Sequence, residues 1–150
     1  MCEHKKGMDD RIYLYFSSDS SSTEVRFINS NELHFELFTN IQLNGEWECA
    51  LIEFHVRLKS ACTFGEYIDI LCDIVDGTST NFGCQSLLRR IICNSSNKTR
   101  LHFNDLSPRF VRVKLLNLYR ISFHIFEHSH RPRIDLSVPL FLVLELRRKQ

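Results

Sequence analysis

Polar and apolar residues alternate with a period of two along most of this chain. In "NELHFELFT", Leu33, Phe35 and Leu37 share one face and Glu32, His34 and Glu36 the other, the pattern of a half-buried strand. Arg11 to Ser18 is rich in β-forming residues and breaks at the serine cluster "SDSSST", which reads as loop. Asn44-Gly45 is a turn signal, because this pair accepts the positive φ angles of a hairpin turn. The turn leads into "LNGEWECALIEFHV". There Trp47, Cys49 and Leu51, with Glu53, share one face, and Glu48, Ala50, Ile52 and Phe54 share the other. Apolar residues on both faces predict a strand with one side in the main core and the other partly covered. "EYIDILCDIV" turns Ile68, Ile70, Cys72 and Ile74 inward and Asp69, Leu71 and Asp73 mostly outward, and "DGTSTNFG" closes it with a turn.

"CQSLLRRIIC" is ambiguous. Leu87, Leu88, Ile91 and Ile92 fit a short helix as well as a strand, and a short strand or a turn of helix feeding one is the expectation. "RFVRVKLLNL" and "YRISFHIFEH" both alternate, the second setting Ile121, Phe123 and Ile125 against Ser122, His124 and Phe126, and together they predict a hairpin around Asn117. "VPLFLVLELRRK" closes the chain with a β-rich run whose Pro139 suits a strand start or an edge. Eight strands are predicted, at about 11–17, 32–38, 46–56, 66–75, 86–93, 109–116, 119–127 and 138–147. Little helix and regular turns give an all-β fold, a two-sheet sandwich or a barrel. The count and the long early loops favour an eight-stranded antiparallel β-sandwich of single jelly-roll type over an immunoglobulin-like one. Its expected core includes Phe35, Leu37, Trp47, Cys49, Leu51, Ile70, Cys72, Ile121, Phe123, Leu142 and Leu144. Residues 1–10 read as a flexible charged arm and 11–150 as the single domain.

Composition adds constraints. The chain has 150 residues, 43% hydrophobic and 25% charged, which is ordinary for a globular domain. A net charge of +1 gives no overall pull toward nucleic acid or membrane and leaves only local basic patches such as "LRRKQ". No apolar run reaches the roughly 18 residues of a membrane span. The charged start "MCEHKKGMDDR" lacks the apolar core of a signal peptide, so synthesis in the cytosol or nucleus is expected. On that reading the six cysteines are mostly reduced thiols, with Cys49 and Cys72 acting as small hydrophobes, and the sequons at Asn94 and Asn97 mark an exposed polar loop.

The reactive-looking residues form no recognisable catalytic pattern. His124, His128 and His130 cluster, and Cys2 lies near His4, yet structural zinc asks for paired ligands such as C-x2-C, which the chain lacks. Cys49 with His55, or Cys72 with Asp69 or Asp73, would need a nucleophile context that is absent. Glu46, Glu48 and Glu53, or Asp69 and Asp73, fit the solvated face of a strand better than a glycosidase pair. The basic groups Arg89–Arg90, Arg131 with Arg133, and Arg147–Lys149 fit a solvated face or a subunit contact better than a nucleic-acid surface. The expectation is a non-enzyme with no cofactor, no metal and no specific nucleic-acid binding.

Taken in order, several segments resemble one family. "LNGEWECALIEFHV" is similar to the L-x-G-x-W-E-V-A-L-x-E-I strand of the penton-like single jelly-roll minor capsid proteins of Polinton (Maverick) elements and adintoviruses. "FINSNELHFELFTNIQL" resembles the preceding F-P-x-N-x-x-x-x-F-x-V-x-L strand, with Ser30 and Asn31 departing from its proline-asparagine step. "SLLRRI" resembles the L-L-R segment. "DLSPRFVRV" sits where a Y-x-P-V approach is common, with Ser107-Pro108 in place of tyrosine-proline, and "LFLVLELRRK" resembles the closing V-x-L-V-L-x-F-R-R run. The resemblance covers about Phe27 to Lys149. It implies a structural minor capsid (penton) protein whose homopentamers close the five-fold vertices of an icosahedral virion beside a double jelly-roll major capsid protein. Synthesis in the host cytoplasm, with assembly there or in the nucleus, would follow. The charged N-terminal arm or the basic C-terminal tail would then dock on neighbouring subunits. The alternative is a cytosolic β-sandwich module binding a protein or ligand through loops at Ser17 to Thr23 and Asn94 to Lys98.

Overall fold

A computed structural model describes residues 10–18, 25–29, 31–63, 67–80, 83–93, 97–127 and 136–149. These residues form strands, turns and bends with no helix, and so none that is long and apolar enough to cross a membrane. The strands are β1 (Arg11–Ser17), β2 (Val25–Asn29), β3 (Glu32–Gln42), β4 (Trp47–Thr63), β5 (Tyr67–Cys72), β6 (Thr78–Thr80), β7 (Gly83–Gln85), β8 (Leu87–Ile92), β9 (Asn97–Asn104), β10 (Val111–Arg112), β11 (Asn117–Glu127) and β12 (Leu136–Arg148). One antiparallel sheet runs β1-β12-β4-β10 with β9 also on β4, the other runs β2-β3-β11-β5-β8, and β6 and β7 pair separately.

Twelve segments thus stand where eight were expected. "DGTSTNFG" contains a small hairpin rather than a turn, and Asn97 and Lys98 begin β9 rather than belonging to a loop. "LLRRII" is a strand: it pairs with β5, placing Leu88 in the core and Arg90 opposite Asp69. The hairpin around Asn117 does not form. β10 pairs with β4 in one sheet while β11 pairs with β3 and β5 in the other, so Lys114 to Leu116 cross between sheets. Nor does Asn44-Gly45 make a hairpin, because β3 and β4 lie in different sheets. The basic end is not a free tail: β12 continues to Arg148, whose N–H donates to the Asp10 carbonyl, and Lys149 N–H donates to the Glu46 carbonyl.

The inner faces of the two sheets supply the core. Phe35, Cys49, Leu51, Ile70, Cys72, Ile121, Phe123, Leu142 and Leu144 are buried, and Trp47 is 9% exposed with its indole N–H donating to the Asn44 carbonyl at 3.0 Å. Leu37 is only partly buried, and the irregularity beside it explains why. Glu36 pairs with Arg120 and Ile41 with Leu118, so Leu37, Phe38, Thr39 and Asn40 oppose only Tyr119. Ile41 and Leu43 resume the inward positions beyond this bulge.

A second bulge resets the phase of β4. Leu51 pairs with Leu144 and Glu53 with Val143, leaving Ile52 without an opposite number. Its carbonyl instead accepts the Asp105 N–H at 2.9 Å. After the extra residue, Phe54, Val56 and Leu58 join Cys49 and Leu51 in the core, although strict alternation would put Phe54 on the other face. Gly45 has φ +89°, and a Cβ there would lie 3.1 Å from Arg148 Nε. Gly45→Ala is therefore expected to cost about 1–2 kcal/mol through left-handed backbone strain and crowding, read as a lowered midpoint in thermal unfolding.

Candidate functional site

The phase shift at Ile52 decides what β4 shows to solvent. With Phe54 and Val56 turned inward, Glu53, His55 and Arg57 project from the outer face. β9 lies alongside with Leu101 inward, so Arg100, His102 and Asn104 share that face. The antiparallel register sets His55 opposite His102, Arg57 opposite Arg100 and Glu53 opposite Asn104. The imidazole centroids are 3.8 Å apart with planes inclined by 32°. Glu53 Oε1 lies 3.3 Å from His55 Nε2. The donor atoms of Glu53, His55 and His102 all fall within 4.8 Å of one another. Glu53 and His55 border an open hollow of about 420 Å³ that also takes in Ser17, Arg57, Arg100 and Phe141. Chemically this is an N,N,O donor set on a rigid strand pair.

A second polar cluster occupies the outer face of the other sheet. Glu32 Oε1 accepts a hydrogen bond from His34 Nε2 at 2.8 Å, and His124 Nε2 approaches the same oxygen at 2.9 Å without hydrogen-bond alignment. Asp73 Oδ1 accepts the Ser122 N–H at 2.9 Å nearby. His128, His130, Cys2, His4, Arg131 and Arg133 lie outside the described residues.

The other reactive-looking groups are dispersed or paired. Cys49 and His55 point to opposite faces of β4, the thiol into the core and the imidazole outward. Burial pushes the Cys49 thiol far above its usual range, with the Glu145 charge adding to the effect, and burial likewise raises Cys72. Iodoacetamide at mildly alkaline pH is therefore expected to leave Cys49 and Cys72 unmodified in the native protein and to label both after denaturation, read by peptide mass. Three of the candidate acids, Glu46, Glu48 and Asp69, have an arginine partner: Glu46 lies 3.6 Å from Arg112, and Glu48 3.0 Å from Arg147. Asp69 Oδ1 and Oδ2 accept bidentate bonds from Arg90 at 2.7 and 2.8 Å, and that guanidinium also covers the Tyr67 ring. Arg89 pairs with Asp105 at 2.9 Å, and Arg147 lies 3.5 Å over the Phe110 ring. The basic residues in these pairs are held against acids and rings of their own subunit.

A last group is apolar and exposed. Phe38 is 77% and Tyr119 60% accessible, both at the β3–β11 bulge, and Leu115 and Leu116 stand exposed just before β11. Leu116 is fixed there by its carbonyl, which accepts the Leu43 N–H at 2.7 Å. Sequence reasoning missed this group because Phe38, Leu115, Leu116 and Tyr119 are apolar residues that alternation alone does not mark as exposed. It missed His102 because only the register reveals its neighbour. No protein-family model matches the chain, and no curated protein matches it.

Proposed function

We propose that this chain is a structural minor capsid subunit, a single jelly roll whose copies close into pentamers at the five-fold vertices of an icosahedral shell. The sheet order carries the reading. β1-β12-β4-β9 in one sheet and β3-β11-β5-β8 in the other supports a reading as two Greek keys folded into a jelly roll, an architecture common in capsid proteins. The count reduces to eight when β9 and β10, which both pair with β4, are taken as one interrupted strand. β2 is then an added edge and β6–β7 an insertion. Jelly rolls also serve as lectins and cupins, so the subunit role draws on two further supports. The first is the resemblance in segment order centred on Gly45 to Glu48. The second is the exposed apolar group at Phe38, Leu115, Leu116 and Tyr119, material that a heterologous contact closing a ring by rotation would cover.

In this reading the virion is the site of action, the partners are four further copies and a double jelly-roll major capsid protein, and the protein is not an enzyme. Negative-stain class averages of the purified full-length protein test it. Rings with five-fold symmetry are the expected result. Particles of single-subunit size at all concentrations would favour a monomeric sandwich that binds a ligand or another protein.

A further inference from the structure

We propose that Glu53, His55 and His102 form a binding site for a divalent transition-metal ion of the zinc type. The inference is independent of the capsid reading, since it rests only on side chains of one sheet face. Two neutral imidazoles and one carboxylate are a donor set that zinc accepts, with the remaining position filled by water from the open hollow. Bonds of about 2.0–2.1 Å in a tetrahedral site place ligand atoms about 3.3 Å from one another. Glu53 Oε1 and His55 Nε2 already stand 3.3 Å apart. One ligand atom from each of the three residues lies within 4.8 Å of the others, so metal binding would draw His102 closer by side-chain rotation.

The backbone fixes the arrangement. His55 and His102 are direct cross-strand partners, and Glu53 follows on the same face two residues from His55. Both strands belong to the same sheet and turn Val56 and Leu101 into the core, so the ligands sit on an anchored surface and not on a loop. Arg57 and Arg100, one row farther along this face, add positive charge that lowers affinity for a cation. The site is accordingly open and exchangeable, unlike the closed sites that hold structural zinc.

Isothermal titration of tag-free, full-length, reduced protein with zinc chloride tests the assignment, with His102→Asn, His55→Asn and Glu53→Gln as variants. The expected result is zinc binding by the wild-type protein, weakened at least about tenfold in each variant, since loss of even an indirect supporting group costs that much. Zinc is also expected to raise the melting temperature of the wild-type protein and not of His102→Asn. Unchanged melting without zinc shows that the variants are folded. An isotherm that is the same in wild type and all three variants would overturn the proposal by locating the metal elsewhere, and absence of binding to the wild-type protein would overturn it as well.

Discussion

Phe35→Ala is expected to destabilise the fold by about 3–5 kcal/mol, the range for removing a buried aromatic ring from a core that cannot collapse around it. Phe35 joins the two sheets. Its ring centroid lies 4.7 Å from Phe16 of β1 in the opposite sheet and 5.8 Å from Phe123 of β11 in its own. Phe16 and Phe123 meet edge-on at 6.0 Å, so three fully buried rings form one cluster midway between the layers. Truncating the central ring opens a void that both sheets border. Against a typical domain stability of about 5–15 kcal/mol, such a loss leaves a marginal protein. Urea titration should show a lower midpoint with an unchanged slope. Thr39→Ala, exposed on the same strand, should shift stability by no more than about 0.5 kcal/mol. Equal losses in the two variants would contradict the role given to the cluster.

Combining Phe38→Asp with Tyr119→Asp is expected to abolish self-association while leaving the fold intact. Both side chains are mainly in solvent in the single chain, so the carboxylates cost the monomer little. In an assembled ring they would be buried without partners, where the lost aromatic anchors alone are worth about 2 kcal/mol or more each. That is roughly a factor of 30 per site in the dissociation constant. The readout is solution mass at matched concentration, with far-ultraviolet circular dichroism to check the fold. A double variant that assembles like the wild type would move the interface away from the β3–β11 bulge.

How much of this was legible in the sequence depended on whether alternation ran unbroken. β1 matches its expected bounds, and Phe35, Ile70, Ile121 and Phe123 lie in uninterrupted alternating stretches whose inward phase the sequence fixes. The phase fails at bulges, where one or more residues lack a partner. Ile52 reverses the assignment of Phe54, and the stretch from Leu37 to Asn40 leaves Leu37 only partly buried. β9 escaped notice because "NKTRLHFN" is polar and begins with the sequon at Asn97, although it is held by pairing with the long β4. The mistaken hairpin at Asn117 has the same origin: alternation identifies strands but not the sheet each one joins. The same holds for the zinc-type cluster, whose spacing is invisible until register sets His102 beside His55, 47 residues earlier.

The most direct test of the account is the mass of the purified, reduced, full-length protein, measured by light scattering after size exclusion over a concentration series. The account predicts a species of five times the 17.7 kDa subunit whose share rises with concentration. A single species of 17.7 kDa at every concentration would contradict it.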